Sequence, residues 1–240
     1  MYNTFSPYLN LERIASVVAS GQNILPENES EFTHIGKLGI YPAENCISII
    51  IKKGIPFYLL DNLAVLPSPL VLTHDDQRFS FNQVEQLYLT PRMINPEAHY
   101  WLMDNLFKGR GNQKGRVDAR LKRLYKIKKS HTERADWKVI QTEWMKAVLS
   151  IKYKQCSEFR ELLLSTNDKI LIEDATQTNY DSNCFWGAKQ VSLDGEKVFI
   201  GINNMGKVLM ELRDNKGNIK YSIPSDLHLF GIPFEEFDTL

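Results

Sequence analysis

The stretch RFSFNQVEQLYLTPR, residues 78–92, sets an acid, Glu85, among apolar and amide side chains. An ordinary amphipathic helix carries Leu or Ala at such a position. A carboxylate there is either a solvated or capping group near a helix start, or an acid held in a pocket for proton transfer. Phe81, Val84 and Leu87 flank it and favour the pocket.

Other chemistries lack their residues. No G-x-G-x-x-G follows a strand, no G-x-x-x-x-G-K-[ST] occurs, and KGRGNQKGR has glycines without a preceding strand. There is no H-E-x-x-H, and His34, His74, His99, His131 and His228 are scattered, so neither a metal site nor a cofactor is expected. No G-x-S-x-G elbow is present. Cys46, Cys156 and Cys184 are widely spaced and odd in number, which fits neither a disulfide framework nor a metal knuckle. A reducing cytoplasm is the expected home. The N-terminus lacks the basic and apolar segments of a secretory signal, and no apolar run approaches the roughly 20 residues of a membrane span.

The elements that must position Glu85 follow from patterning. With 240 residues, 43% hydrophobic and 11% aromatic, the chain has the means for a substantial core. Residues 1–45, with the helix candidate LERIASVVAS, read as an N-terminal extension packed on a core of residues 46–214; residues 215–240 form a tail. CISIII is a buried strand, followed after a Lys-Lys-Gly turn by a second extended piece, where Pro56 opposes helix. LVLTHDDQRFSF reads as a hairpin turning at Asp75–Asp76. Helical pattern begins after Asn82. Asn95 and Pro96 start a helix that Gly109 closes. In DWKVIQTEWMKAVLSIKYK, the residues Ile140, Trp144, Val148 and Ile151 form one apolar face of the longest helix. Ser157 caps a short helix with Phe159, Leu162 and Leu163. KILIED is a strand, and NNMGKVLMELRD is the last helix, with an asparagine cap and a turn at Gly217. This irregular order predicts an α+β fold, mostly helical with short strands, rather than a doubly wound sheet.

Four blocks in order, FYLLDNL, FSFNQVEQLYLTPR, the long segment from Ala135 to Ala175, and FWGAK…GINNMGKVLMELR, resemble the NADAR superfamily, the YbiA-like N-glycosidases. The resemblance covers about residues 46–214. It implies a NADAR/YbiA-like single domain and hydrolysis of an N-glycosidic bond, through an oxocarbenium-like ribose that a carboxylate stabilises. Glu85 matches the family's helical Glu and takes that role. The family's second carboxylate, three residues before Trp186, is Asn183 here, with Asp181 two residues further back; one of these two supplies the missing function. Trp186, before Gly187, would stack on the base. Asn62 and Asn204 match family amides, either locking backbone or binding ligand. Arg92 stands where the family has Lys and holds a phosphate, pairs with Glu85 or lies at the surface. Gly206 permits close approach at the last helix, and Trp137 lines the pocket or the core. Glu85 and Trp186 are expected to share one cavity.

Charge distribution selects among substrates. Lys plus Arg equals Asp plus Glu at 29 each, yet residues 108–134 carry eleven basic residues against Asp118 and Glu133. Lys108, Arg110, Lys114, Arg116, Arg120, Lys122, Arg123 and Lys126 form the nucleic-acid-binding candidates. Such segregation is either a solvated face or a match for a phosphate backbone. The preferred substrate is ADP-ribose on a nucleobase, guanine in single-stranded DNA, with the enzyme reversing a DarT-type toxin as an antitoxin or phage counter-defence factor. The alternatives are a phosphorylated ribosylamino-pyrimidine of riboflavin biosynthesis and a non-catalytic ADP-ribose or nucleic-acid binding module.

Overall fold

The structure, a computed structural model, describes residues 39–50, 54–106, 113–126, 132–177, 185–193 and 195–239. The fold is α+β, with helices and several small sheets of short strands. The described residues form two compact units, one within 39–50 and 163–216, the other within 54–162 and 217–239. The helix candidate LERIASVVAS lies outside the described residues.

In the first unit, β1 (Gly39–Pro42), β7 (Glu196–Gly201) and β6 (Lys189–Leu193) form an antiparallel sheet in the order β1-β7-β6. A separate parallel pair joins β2 (Cys46–Ile49) to β5 (Ile170–Glu173). Tyr41, Ile172, Ala188 and Phe199 make a buried cluster with Ala43, Cys46 and Ile170 packed against it. The last long helix, α6 (Asn204–Asp214), packs on β5.

Its start is held by Asn203 in the left-handed region at φ 54°. That side chain makes no cap bond to the helix. Its Nδ2 donates to the Leu171 carbonyl at 2.8 Å, and its Oδ1 accepts from the Glu173 N–H at 3.0 Å. Gly206 sits so near β5 that an added Cβ would collide with the Leu171 carbonyl oxygen and the Asn203 amide. Glycine is required there by close approach, not by φ.

The second unit opens with a turn of 3-10 helix at Tyr58–Leu60, where an extended piece is expected. The chain curls because Tyr58 N–H bonds to Ile55 O and Asp61 N–H to Tyr58 O, burying Leu60. The hairpin is as expected: β3 (Leu70–His74) pairs with β4 (Gln77–Phe81), and Asp75 takes φ 49° in the turn. Next come α1 (Val84–Leu89), a 3-10 turn at Thr90–Arg92, and α2 (Pro96–Asp104). Pro91 thus ends α1 rather than kinking it.

Asn95 precedes α2 but makes no side-chain cap bond. The helix stops at Asp104, ahead of Gly109, which lies outside the described residues. Side chains end it: Asn105 Nδ2 donates to Trp101 O, and the buried Gln86 amide reaches the carbonyls of Leu102, Met103 and Asn105. Gln86 also closes a capping box with Gln83 at the start of α1. One buried amide therefore ties the first turn of α1 to the last carbonyls of α2.

Beyond α3 (Gln113–Tyr125), the longest helix is α4 (Trp137–Gln155), with Ile140, Trp144, Val148 and Ile151 buried as their spacing predicts. Trp144 is fully buried and its Nε1 donates to Tyr88 O at 3.0 Å, fixing α4 against α1. Ser157 is the first residue of α5 (Ser157–Leu164) rather than its cap; its Oγ donates to the Glu158 carboxylate. The tail holds a short hairpin of β8 (His228–Leu229) and β9 (Ile232–Pro233), and Phe230 in its turn stacks on Phe79 at 4.3 Å.

Candidate active site

Glu85 is the second residue of α1 and is half-buried. Its backbone N–H donates to the Asn62 carbonyl oxygen at 3.1 Å, which pins the helix start to the 61–63 turn. That turn is held by Asp61, 4% exposed, whose Oδ1 accepts from the Leu63 N–H at 2.7 Å. Asn62 Nδ2 points to Met145 Sδ on α4 at 3.4 Å.

The Glu85 carboxyl is pushed up to about 7. Burial disfavours its charge most, the neighbouring Asp61 adds repulsion, and Arg92 offsets part of both. Arg92 itself bonds Glu133 through Nε at 2.8 Å, and its guanidinium lies 5.9 Å from the centre of the Trp137 ring. Trp137 is 3% exposed and tilts against Tyr88 at 5.2 Å, so it is a wall of the core beneath Arg92.

A second ion sits by the same turn. Lys152, on the buried face of α4, donates from Nζ to the Leu59 carbonyl at 2.6 Å and lies 4.1 Å from the centre of the Phe159 ring. Burial brings its ammonium down to about 7, while attraction from Cys156 and Asp61 acts the other way. Burial thus brings both Glu85 and Lys152 to about 7, and the charge of Asp61 acts on each of them.

Asp61 and Lys152 escaped the sequence reading. Lys152 carried a signal: it lies four residues beyond Val148 and eight beyond Trp144, inside the apolar stripe of α4.

The remaining substrate-binding candidates in the described residues fall in the first unit. Trp186 is half-buried and meets Phe185 edge-on at 5.1 Å. Gly187 gives its carbonyl to the Asn203 N–H at 3.0 Å and lies against Gly201. Asn204 is fully buried at the start of α6. Asp181 and Asn183 lie outside the described residues, as do Lys108, Arg110 and the side chain of Lys114. Arg116, Arg120, Lys122, Arg123 and Lys126 are exposed on α3 or just after it. The structure thus gathers Asn62, Glu85, Arg92 and Trp137 in one unit, and Trp186, Gly187, Asn204 and Gly206 in the other.

The family model of the NADAR domain matches residues 57–215. The chain belongs to the NADAR family. A relative named N-glycosidase Npun_R5314, from Nostoc punctiforme (strain ATCC 29133 / PCC 73102), is 31% identical over 86 residues. Those residues are 36% of this chain and 47% of the relative, so the match spans about half the relative's length. The NMR structure of the E. coli protein YbiA is 20% identical, with a TM-score of 0.47 over 71% of this chain and 84% of that one. The NADAR match takes in Asn62, Glu85, Arg92, Trp137, Lys152 and Trp186 alike. Among the described residues, no helix is long and apolar enough to cross a membrane.

Proposed function

We propose that this NADAR protein is an N-glycosidase that removes ADP-ribose from a nucleobase, guanine in single-stranded DNA, and so reverses a DarT-type toxin as an antitoxin or phage counter-defence factor. The observation that carries the reading is Glu85: a half-buried acid, held near neutrality, whose backbone is fixed to the turn bearing Asp61. Membership of a family whose curated relative is named an N-glycosidase supports the reaction class.

Cleavage of the base–ribose bond develops positive charge at the anomeric carbon and negative charge on the departing base. Ionised Glu85 faces the cationic sugar and takes a proton from the attacking water, and its place near neutrality lets it hand that proton on. Arg92, held by Glu133 and Trp137, supplies a cation for phosphate. Trp186 is assigned to stacking on the base, and Asp181 or Asn183 to the second polar contact with the sugar.

The exposed cations of α3 favour a polymeric substrate over a free phosphorylated ribosylamino-pyrimidine, which carries too little charge to need them. The test offers wild-type protein both substrates over a range of salt. Release of ADP-ribose from modified single-stranded DNA, falling steeply as salt rises, is expected. Salt-insensitive cleavage of the pyrimidine alone transfers the assignment to the riboflavin-type substrate. Tight binding of ADP-ribose without turnover of either substrate makes the protein a binding module.

A further inference from the structure

A groove of about 450 Å³ opens between α2 and α3, on a face of the second unit that none of the candidate active-site residues lines. Its α2 wall carries Tyr100, Trp101, Glu97 and Asp104, and its α3 wall carries Arg120. Tyr100 is 44% exposed although its ring leans on Phe230 at 4.8 Å, so a braced aromatic stands at the surface. Trp101 beside it is half-buried.

The neighbouring helix is sorted by charge. Its one acid, Asp118, is 3% exposed and accepts from Thr132 Oγ1 at 2.5 Å. Arg116, Arg120, Lys122 and Arg123 are all exposed. Apart from Ala119, the exposed described side chains of α3 are all cationic, and the helix borders a cleft holding two aromatic rings and two carboxylates.

We propose that this groove receives an unpaired base of a single-stranded nucleic acid, with the exposed arginines and lysines of α3 holding the phosphates on either side. Each feature has a partner in such a ligand. Rings take the face of any base, and cations replace the counterions of the backbone. Glu97 and Asp104 would repel a phosphate inside the groove, but they accept hydrogen bonds from the exocyclic amines of cytosine, adenine and guanine. A duplex offers no unpaired base to this cleft. The inference extends the reading of a nucleic-acid substrate above, and it concerns binding of the strand rather than the bond broken.

The experiment is fluorescence anisotropy with a labelled, unmodified 12-nucleotide single-stranded DNA and the matching duplex, on full-length wild type, Arg120→Glu, Tyr100→Ala and Trp101→Leu. Lys197→Glu on β7 serves as the charge control, and circular dichroism confirms folding of each variant. Single-strand affinity should fall about tenfold or more in Arg120→Glu, and about fivefold or more in Tyr100→Ala or Trp101→Leu. Arg120→Glu should also reduce the salt slope by about one, while Lys197→Glu changes nothing. Unchanged affinity in the groove variants overturns the proposal. Loss in Arg120→Glu alone overturns it too, because phosphate is then held without a base in the groove. Affinity for the duplex equal to that for the single strand also overturns it. Hydrolysis of ADP-ribosylated guanosine monophosphate by the same variants, which needs no strand, reports separately on the glycosidase reading.

Discussion

The N–H of Glu85 donates to the carbonyl oxygen of Asn62 at 3.1 Å, so the acid at the start of α1 and the turn carrying Asp61 move as one piece. Burial is the larger part of the charge penalty on Glu85, and Asp61 on that turn adds repulsion to it. A group placed in this way must leave a trace in stability.

Glu85 is raised in the folded protein from 4.5 to about 7. The fold favours its protonated form, so its contribution is fully present below pH 4.5 and is lost as pH rises through about 7. Glu85→Gln, neutral at every pH, should therefore melt higher than wild type at pH 8, by on the order of 1–3 kcal/mol. The two proteins should converge near pH 4.5. Thermal melts across this range decide it; a Glu85→Gln protein less stable than wild type at pH 8 would mean the carboxylate is paired rather than desolvated.

His99 has the opposite sign. It is 3% exposed, with Nε2 donating to Met93 O at 2.6 Å and Nδ1 accepting from Phe230 N–H at 2.9 Å, so the fold demands one neutral tautomer. Burial brings it down to about 4. Its contribution is present above pH 6.5 and is lost as pH falls through about 4. Because Glu85 gains stability over much of the same window, wild type should show a shallow acid limb. In Glu85→Gln the limb should steepen, with a loss of roughly 2–3 kcal/mol between pH 6.5 and 4. A flat curve in that variant would contradict a neutral, doubly bonded imidazole.

Gly206→Ala should cost about 1–3 kcal/mol, because the new methyl runs into the Leu171 carbonyl and the Asn203 amide. Urea denaturation reads this as a lower midpoint at unchanged slope. An unaltered midpoint would mean that α6 stands off β5 in solution.

Much of the fold was legible because its signals are local. The Asp75–Asp76 turn sits between alternating strands, Ile140, Trp144, Val148 and Ile151 repeat at helical spacing, and Gly217 adopts φ 88° where the last helix stops. What escaped depends on partners distant in sequence. Nothing near Asp104 shows that the amide of Gln86 will end its helix, and an asparagine before α6 reads as a cap when its amide is spent on β5. At the site, Glu85 stood out as an acid among apolar neighbours. Asp61 did not, because its importance comes from burial beside one turn, which only tertiary packing creates, and Lys152 showed only as a cation inside the apolar stripe of α4.

The most direct test of the central claim is release of ADP-ribose from ADP-ribosylated guanine in single-stranded DNA, followed by mass spectrometry for wild type and Glu85→Gln at pH 7.5. Gln keeps the shape and removes the proton acceptor, so release should fall by about a hundredfold or more in a protein that melts no lower than wild type. Undiminished release by Glu85→Gln would contradict the account.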